Sequence, residues 1–366
     1  MRYPEFLKDG GTIGFAAPSF GCNIEPYRSA FDNALKRFRE MGYGTVLGPN
    51  CYEGSGLGIS NKPEICGKEL NDMYTSDEAD VIISCGGGEL MCEVLPYIDW
   101  EKIAASRPKW YLGYSDNTNF TYLSTILADT AAMYGPCAPS FGMEPLSESL
   151  KDAFSLLTGR TGEVHNYDKW EKESLKDEEH PYAAYNLTEP FKMKTFLSYN
   201  NVSNNVNSDG DKNAAGFTYR EADGEEVLLE GRLLGGCVDC LVNLLGTRFD
   251  KTSDFLERYK NDGFVWFLES CDLNPMSIRR AFFQMKEAGW FKYVKGFLIG
   301  RPLHFGEEMM GVDQYNAVTD ILAPLGVPVI MDLDIGHLPP QMPIISGAMC
   351  EVKAADNKIS IIYRYK

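Results

Sequence analysis

The sequence predicts an α/β protein, with a largely parallel sheet flanked by helices in its N-terminal half and a second, β-rich domain in its C-terminal half. Three observations carry this. Short β-like runs alternate with amphipathic helical patterns over residues 1–160. Strand-like runs return in the last third of the chain. Finally, 366 residues exceed the roughly 250 at which single cores stop growing, so two domains are expected.

Taken in order, Gly11 to Ala17 reads as the first strand, followed by a helix from Tyr27 to Met41 whose apolar residues recur at helical spacing. Gly44 to Leu47 is a second strand, Lys68 to Tyr74 is helical, Ala79 to Cys85 is a third strand and Trp110 to Tyr114 a fourth. This half is Rossmann-like or flavodoxin-like. Residues 161–228 break the pattern with the charged stretch Asp168 to Glu179 and the polar run Asn200 to Asn205, and read as a linker or insertion. The segment also holds Trp170, Tyr182, Tyr185, Phe191, Phe196 and Tyr199, more aromatic surface than a tether needs. From residue 229 to 366, strands are expected near Gly263 to Leu268, Val294 to Ile299, Val327 to Met331 and Ile359 to Tyr363, preceded by one near Val227 to Leu229. Helices are expected over Val238 to Leu245 and Met276 to Glu287, giving a small mixed sheet or barrel.

Hydrophobic content of 44% and charged content of 24% are ordinary for a globular protein. The N-terminus lacks the apolar core of a signal peptide and no run approaches a membrane span, which predicts a soluble, cytoplasmic protein. A net charge of −17 with no basic patch argues against nucleic acid and anionic membranes as partners. The ten cysteines lack the regular spacing of a disulfide scaffold. Cys237-Val238-Asp239-Cys240 has no second pair and no nearby histidine to complete a zinc site, so it reads as two thiols one helical turn apart.

The candidate chemistry begins at Trp110-Tyr111-Leu112-Gly113-Tyr114-Ser115-Asp116-Asn117, where an apolar run stops at a serine before the chain turns helical. Such a turn holds a side chain clear of the sheet beside the free N–H groups of a new helix. Gly113 fills the first glycine position of G-x-S-x-G but Asn117 occupies the second. An ordinary helix N-cap is the competing role for a serine here. Gly86-Gly87-Gly88 follows the third strand, where open α/β sheets place ligands, yet spells neither G-x-G-x-x-G nor a P-loop.

A hydroxyl nucleophile needs a base, and there are only four histidines. His165 and His180 lie in the polar segment, His304 follows Arg301-Pro302, and His337 follows the apolar run from Val329. Phe264-Val265-Trp266-Phe267-Leu268-Glu269 ends a buried strand on a carboxylate that needs a partner, whether a base to orient or a structural ion pair. Ser115, Glu269 and His337 thus each close an apolar run, which points to one site and a Ser-His-Glu hydrolase; a small-molecule-binding domain pair is the alternative. No set of residues shows a metal's ligand spacing.

These residues stand within a longer ordered series. Ile13-Gly14-Phe15-Ala16-Ala17-Pro18-Ser19, Gly86-Gly87-Gly88, Gly113 to Thr118, Tyr134-Gly135-Pro136, Leu234-Gly235-Gly236, Leu245-Gly246-Thr247, Phe267-Leu268-Glu269 and Gly336-His337 follow one another as in the LD-carboxypeptidases and the related microcin C immunity proteins, which the chain resembles. The resemblance implies Ser115 as nucleophile, His337 as general base and Glu269 orienting it. It implies an oxyanion hole from the backbone of Asp116 with Gly87 or Gly88, a flavodoxin-like domain joined to a swivelling β-domain, a homodimer, and no metal or organic cofactor. The implied substrate is a small molecule or peptide with an amide beside a free carboxylate, either a murein tetrapeptide or an aminoacyl nucleotide. The 161–228 insertion and Gly235-Gly236-Cys237, in place of Gly-Gly-Asn, look closer to the immunity branch. Glu89 adds a charge beside the expected oxyanion hole.

Overall fold

The structure is a computed structural model and describes residues 1–55, 59–200 and 217–365. In the N-terminal half β1 (Thr12–Ala16), β2 (Gly44–Leu47), β3 (Val81–Ser84), β4 (Tyr111–Gly113) and β5 (Ala132–Tyr134) form parallel pairs in the spatial order β2-β1-β3-β4-β5. This is the flavodoxin-like order. The helices are α1 (Tyr27–Glu40), α2 (Pro63–Thr75), α3 (Trp100–Ala105), α4 (Thr118–Ala128) and α5 (Glu148–Leu157). In α1 the spacing of Ala30, Phe31, Ala34, Leu35 and Phe38 puts one apolar stripe on the sheet. Asp99 starts α3 by accepting the Lys102 N–H at 3.0 Å. By contrast, α4 is buried almost all round, because it packs against its own sheet and against the second half of the chain.

The remaining strands are β6 (Glu163–His165), β7 (Lys169–Glu171), β8 (Leu187–Pro190), β9 (Lys194–Asn200), β10 (Phe217–Glu221), β11 (Val227–Cys237), β12 (Phe264–Glu269), β13 (Val294–Gly300), β14 (Val329–Leu333), β15 (Ile344–Ser346), β16 (Met349–Ala355) and β17 (Lys358–Arg364). Nine of them make one mixed sheet in the order β10-β9-β14-β13-β12-β11-β16-β17-β6, while β7 and β8 pair separately. The sheet is open and larger than the small sheet or barrel expected from sequence. Its centre, β11 to β14, is parallel and covered on both faces, which is why β12 reads as a continuous apolar run.

Residues 161–228, read from sequence as a linker or insertion, supply β6 and β10 at the two edges of this sheet together with β9 beside β10. Edge positions tolerate the polar composition that hides these strands from a periodicity argument. Of the Asn200 to Asn205 run, residues 201–205 lie outside the described residues.

The two halves meet around the apolar ends of the central strands. Buried clusters draw on both, with Leu112 and Met133 beside Leu233 and Phe267, and Phe120 and Ile82 beside Leu234 and Trp266. At the join, the Cys237 N–H donates to Thr118 Oγ1 at 2.9 Å. Gly236 makes this approach possible: its φ is +147°, and a Cβ there would lie 2.6 Å from the Thr118 methyl. Finally β15 leaves the C-terminal half and pairs antiparallel with β5.

Candidate functional site

Ser115 follows β4 in a left-handed conformation, φ +63°, which a non-glycine residue adopts only when its surroundings impose it. Its hydroxyl caps no helix. The surroundings are specific. Asn117, in the place of the expected second glycine, donates from Nδ2 to the carbonyls of Gly86 at 2.8 Å and Tyr114 at 3.0 Å, and accepts at Oδ1 from Tyr111 Oη at 2.5 Å. It thereby ties the serine turn to the glycine turn. Asp116 is buried and accepts from Ser19 Oγ, from the Met91 N–H at 2.8 Å and from Asn119 Nδ2 at 2.9 Å. Burial raises its pKa in spite of these bonds. Gly87 abuts Ser115, since a Cβ on it would sit 3.1 Å from Ser115 Oγ.

His337 Nε2 lies 2.8 Å from Ser115 Oγ, and His337 Nδ1 lies 2.8 Å from Glu269 Oε2. The structure therefore brings together the three strand-end residues that are far apart in sequence. Glu269 is inside the protein at the end of β12. Gly336, at φ +107°, lets the chain pass it, because a Cβ there would lie 2.5 Å from Glu269 Oε2. Burial alone would lower the pKa of the imidazole and raise that of the carboxyl; their mutual attraction outweighs it, holding His337 well above its ordinary value and Glu269 below its own.

Sequence reasoning assigned no role to Tyr134, at the end of β5. Its hydroxyl donates to Glu269 Oε1 at 2.5 Å and accepts the Ser115 N–H at 3.2 Å, so one phenol braces both ends of the chain of contacts. Burial and the nearby carboxylate push its pKa far up and keep the proton on the donor. Its place in the fragment Tyr134-Gly135-Pro136, at the end of a three-residue strand, was the signal available. Tyr134→Phe leaves a buried carboxylate oxygen without its donor and is expected to cost about 1–3 kcal/mol of stability, measurable by urea unfolding.

Two cavities open on Ser115. The larger, about 320 Å³, is lined by Phe20, Tyr27, Tyr114, Lys176 and His337 among others. Lys176 comes from the 161–228 segment, forms no ion pair among the described residues, and lies 5.6 Å from the Tyr27 ring; burial lowers its pKa. The smaller cavity, about 90 Å³, lies toward Glu89, Asp116, Asn119, Asp239 and Asp272. The pair Cys237 and Cys240 borders it as free thiols.

The other histidines stay apart from the site. His165, His180 and His304 are exposed, the last two beside Asp177 and Glu307. Among the described residues, Glu148, Asp152 and His165 place ligand atoms within 4.8 Å of one another, and none of them lines either cavity at Ser115. No helix among the described residues is long and apolar enough to cross a membrane.

Residues 13–135 match the LD-carboxypeptidase N-terminal domain and residues 230–352 the LD-carboxypeptidase C-terminal domain. The chain is 25% identical to the microcin C7 self-immunity protein MccF of Escherichia coli over 98% of its own length and 95% of that protein's. It is 22% identical to a probable murein peptide carboxypeptidase of Bacillus subtilis, over 96% of this chain and 92% of that one. Among solved structures, MccF in complex with aspartyl sulfamoyl adenosine superposes with a TM-score of 0.77 at 21% identity, covering 100% of this chain and 99% of the other. Both halves of the expected architecture are therefore those of known relatives, and the chain belongs to the LD-carboxypeptidase family of serine peptidases, on the side that includes the microcin C immunity protein.

Proposed function

We propose that the protein hydrolyses an amide through a Ser115-His337-Glu269 triad and an acyl-enzyme, and that its substrate is an aminoacyl nucleotide amide of the kind named for the immunity protein's complexes. The observation that carries this is the continuous Ser115–His337–Glu269 contact, with both links at 2.8 Å. Ser115 Oγ attacks the carbonyl while His337 Nε2 takes its proton; His337 then returns the proton to the departing nitrogen, and water releases the acyl group by the same route. Glu269, fixed by Tyr134, orients the imidazole and offsets its positive charge. The N–H of Asp116 and one from Gly87 or Gly88, held by Asn117, bind the oxyanion.

The larger cavity suits the leaving group, with Phe20 and Tyr27 offering aromatic surface and Lys176 a cation for a carboxylate or phosphate. We place the reaction in the cytoplasm, with the chain acting as a homodimer.

The deciding experiment is hydrolysis of aspartyl sulfamoyl adenosine and of a murein tetrapeptide by wild type and Ser115→Ala. Ser115-dependent cleavage of the nucleotide is expected. Cleavage of the tetrapeptide alone would assign the protein to cell-wall recycling, and binding without cleavage of either would make it a non-catalytic receptor on the same scaffold.

A pH profile tests the triad separately. The imidazole must be neutral to act as base, so kcat/KM is expected to fall below a His337 pKa that stands above the ordinary histidine value. Glu269→Gln removes the charge that raises it, and is expected to lower the plateau while moving the acid limb to lower pH. An unmoved limb would separate Glu269 from the base.

A further inference from the structure

The larger cavity beside Ser115 holds a donor that the protein itself does not use. Tyr114, the residue before Ser115, lines it together with Ser115, Lys176 and His337. Its hydroxyl makes no hydrogen bond among the described residues. Unlike the enclosed Trp110 Nε1 and Trp266 Nε1, which also lack partners, this oxygen keeps accessible surface, so a ligand reaches it. Tyr27 and Cys137, close enough to act on its titration, are walls of the same cavity, which places the hydroxyl on the cavity side. Burial holds its pKa far above that of a free phenol, so the group meets a ligand with its proton on.

The phenol is also aimed. The Tyr114 carbonyl accepts Asn117 Nδ2 at 3.0 Å and the Asn117 N–H at 3.2 Å, which fixes the backbone. The ring lies 5.1 Å from the His337 ring and, edge-on, 6.3 Å from the Tyr134 ring. A hydroxyl on so constrained a ring loses little further freedom when it binds. Tyr27, the other tyrosine of this cavity, is 45% exposed and has no such restraint from His337.

Which part of the substrate meets Tyr114 follows from His337. The imidazole hands its proton to the departing nitrogen, and it lines the larger cavity and not the smaller. Whatever that nitrogen carries therefore lies along the wall that Tyr114 and Lys176 share. A tetrahedral phosphoryl or sulfonyl group presents anionic oxygen there, an acceptor suited to a phenol O–H and an ammonium together.

We propose that Tyr114 is a further catalytic residue, whose hydroxyl donates to an oxygen of the tetrahedral group on the departing nitrogen and so favours acyl phosphoramidates and acyl sulfamates over ordinary peptides. This rests on the hydrolase reading above. Tyr114 keeps its proton throughout, since His337 supplies the one that leaves on nitrogen. The contact operates in acylation and is gone in deacylation, when the leaving group has departed.

Tyr114→Phe removes the hydroxyl and keeps the ring against His337. With aspartyl sulfamoyl adenosine its acylation rate, followed by pre-steady-state kinetics, is expected to fall about ten- to hundredfold, the range of a hydrogen bond to a charged acceptor. Deacylation and the urea unfolding midpoint should not change, because no bond within the protein is lost. A merely structural role would slow both steps, since His337 serves both. An unchanged acylation rate, or equal losses in the two steps, would overturn the proposal. Calorimetry in the Ser115→Ala background adds a readout free of turnover: AMP is expected to bind about tenfold more tightly than adenosine, and Tyr114→Phe to narrow that difference. Equal binding of the two, or a difference that Tyr114→Phe leaves intact, would count against the contact. The two layers stay apart, since Tyr114-dependent preference for AMP in a protein that cleaves nothing would support the contact and overturn the hydrolase, whereas cleavage indifferent to Tyr114→Phe would do the reverse.

Discussion

Ser115→Ala is expected to lower kcat by about four to six orders of magnitude, the range seen when the nucleophile of a cooperating triad is removed. The loss follows from geometry, since no other hydroxyl touches His337 Nε2 among the described residues. Substrate binding should survive, because the cavities on either side of the serine keep their other walls. Steady-state kinetics together with binding to the inactive variant checks both parts, and turnover persisting in Ser115→Ala would remove the triad. A companion variant reads the backbone. At φ +63° the serine is held in a conformation that glycine adopts freely, so Ser115→Gly is expected to be more stable than Ser115→Ala by about 1 kcal/mol while equally inactive. Identical unfolding midpoints would show that the turn stores no strain.

The second large effect lies behind the site. Arg301, 1% exposed, pairs with Asp334 and donates from Nη1 to the Asp332 carbonyl at 3.0 Å and from Nη2 to the Leu338 carbonyl at 3.4 Å. It therefore grips the chain on both sides of His337. Its guanidinium also lies 5.0 Å from the ring of Trp170, whose other neighbour is Phe305 at 5.1 Å, so it fastens the 161–228 segment to the same place. Arg301→Met leaves Asp334 as a buried charge with only the Tyr167 N–H, at 2.8 Å, to stabilise that oxygen pair. A destabilisation of about 3–5 kcal/mol is expected by denaturant unfolding. The double variant Arg301→Met, Asp334→Leu should lose less than the sum of its parts, because it removes the orphaned charge as well. Strict additivity would mean that the pair contributes nothing as a pair.

The first four strands, the α1 helix and the apolar core strands were legible in sequence because each is long or apolar enough to show its period. β12 is the plain case: Phe264 to Leu268 had to be buried, and Glu269 at its end had to find a partner. Ser115 and His337 were found by the same argument from abrupt ends of apolar runs. β5 was not legible, since Ala132–Tyr134 is too short for any period, and Tyr134's hydroxyl acts across the join of the two halves. Asn117 looked like a departure from a nucleophile motif, yet its amide supplies contacts to Gly86 and Tyr114 that a glycine could not make. Asn119 and Lys176 depended on which residues the fold places beside Ser115, and nothing local announces that.

The return of β15 to the edge of β5 has a consequence for how the molecule can be divided. A fragment ending near residue 160 would contain Ser115 and a nominally complete parallel sheet, but β5 would be left as an uncapped edge, a template for the β5 of another fragment. The strand that closes that edge is encoded beyond His337, so a stretch synthesised after the central strands of both halves completes the first sheet. The protein is thus stitched rather than merely joined, and cutting it between its halves should yield aggregating pieces instead of two folded modules.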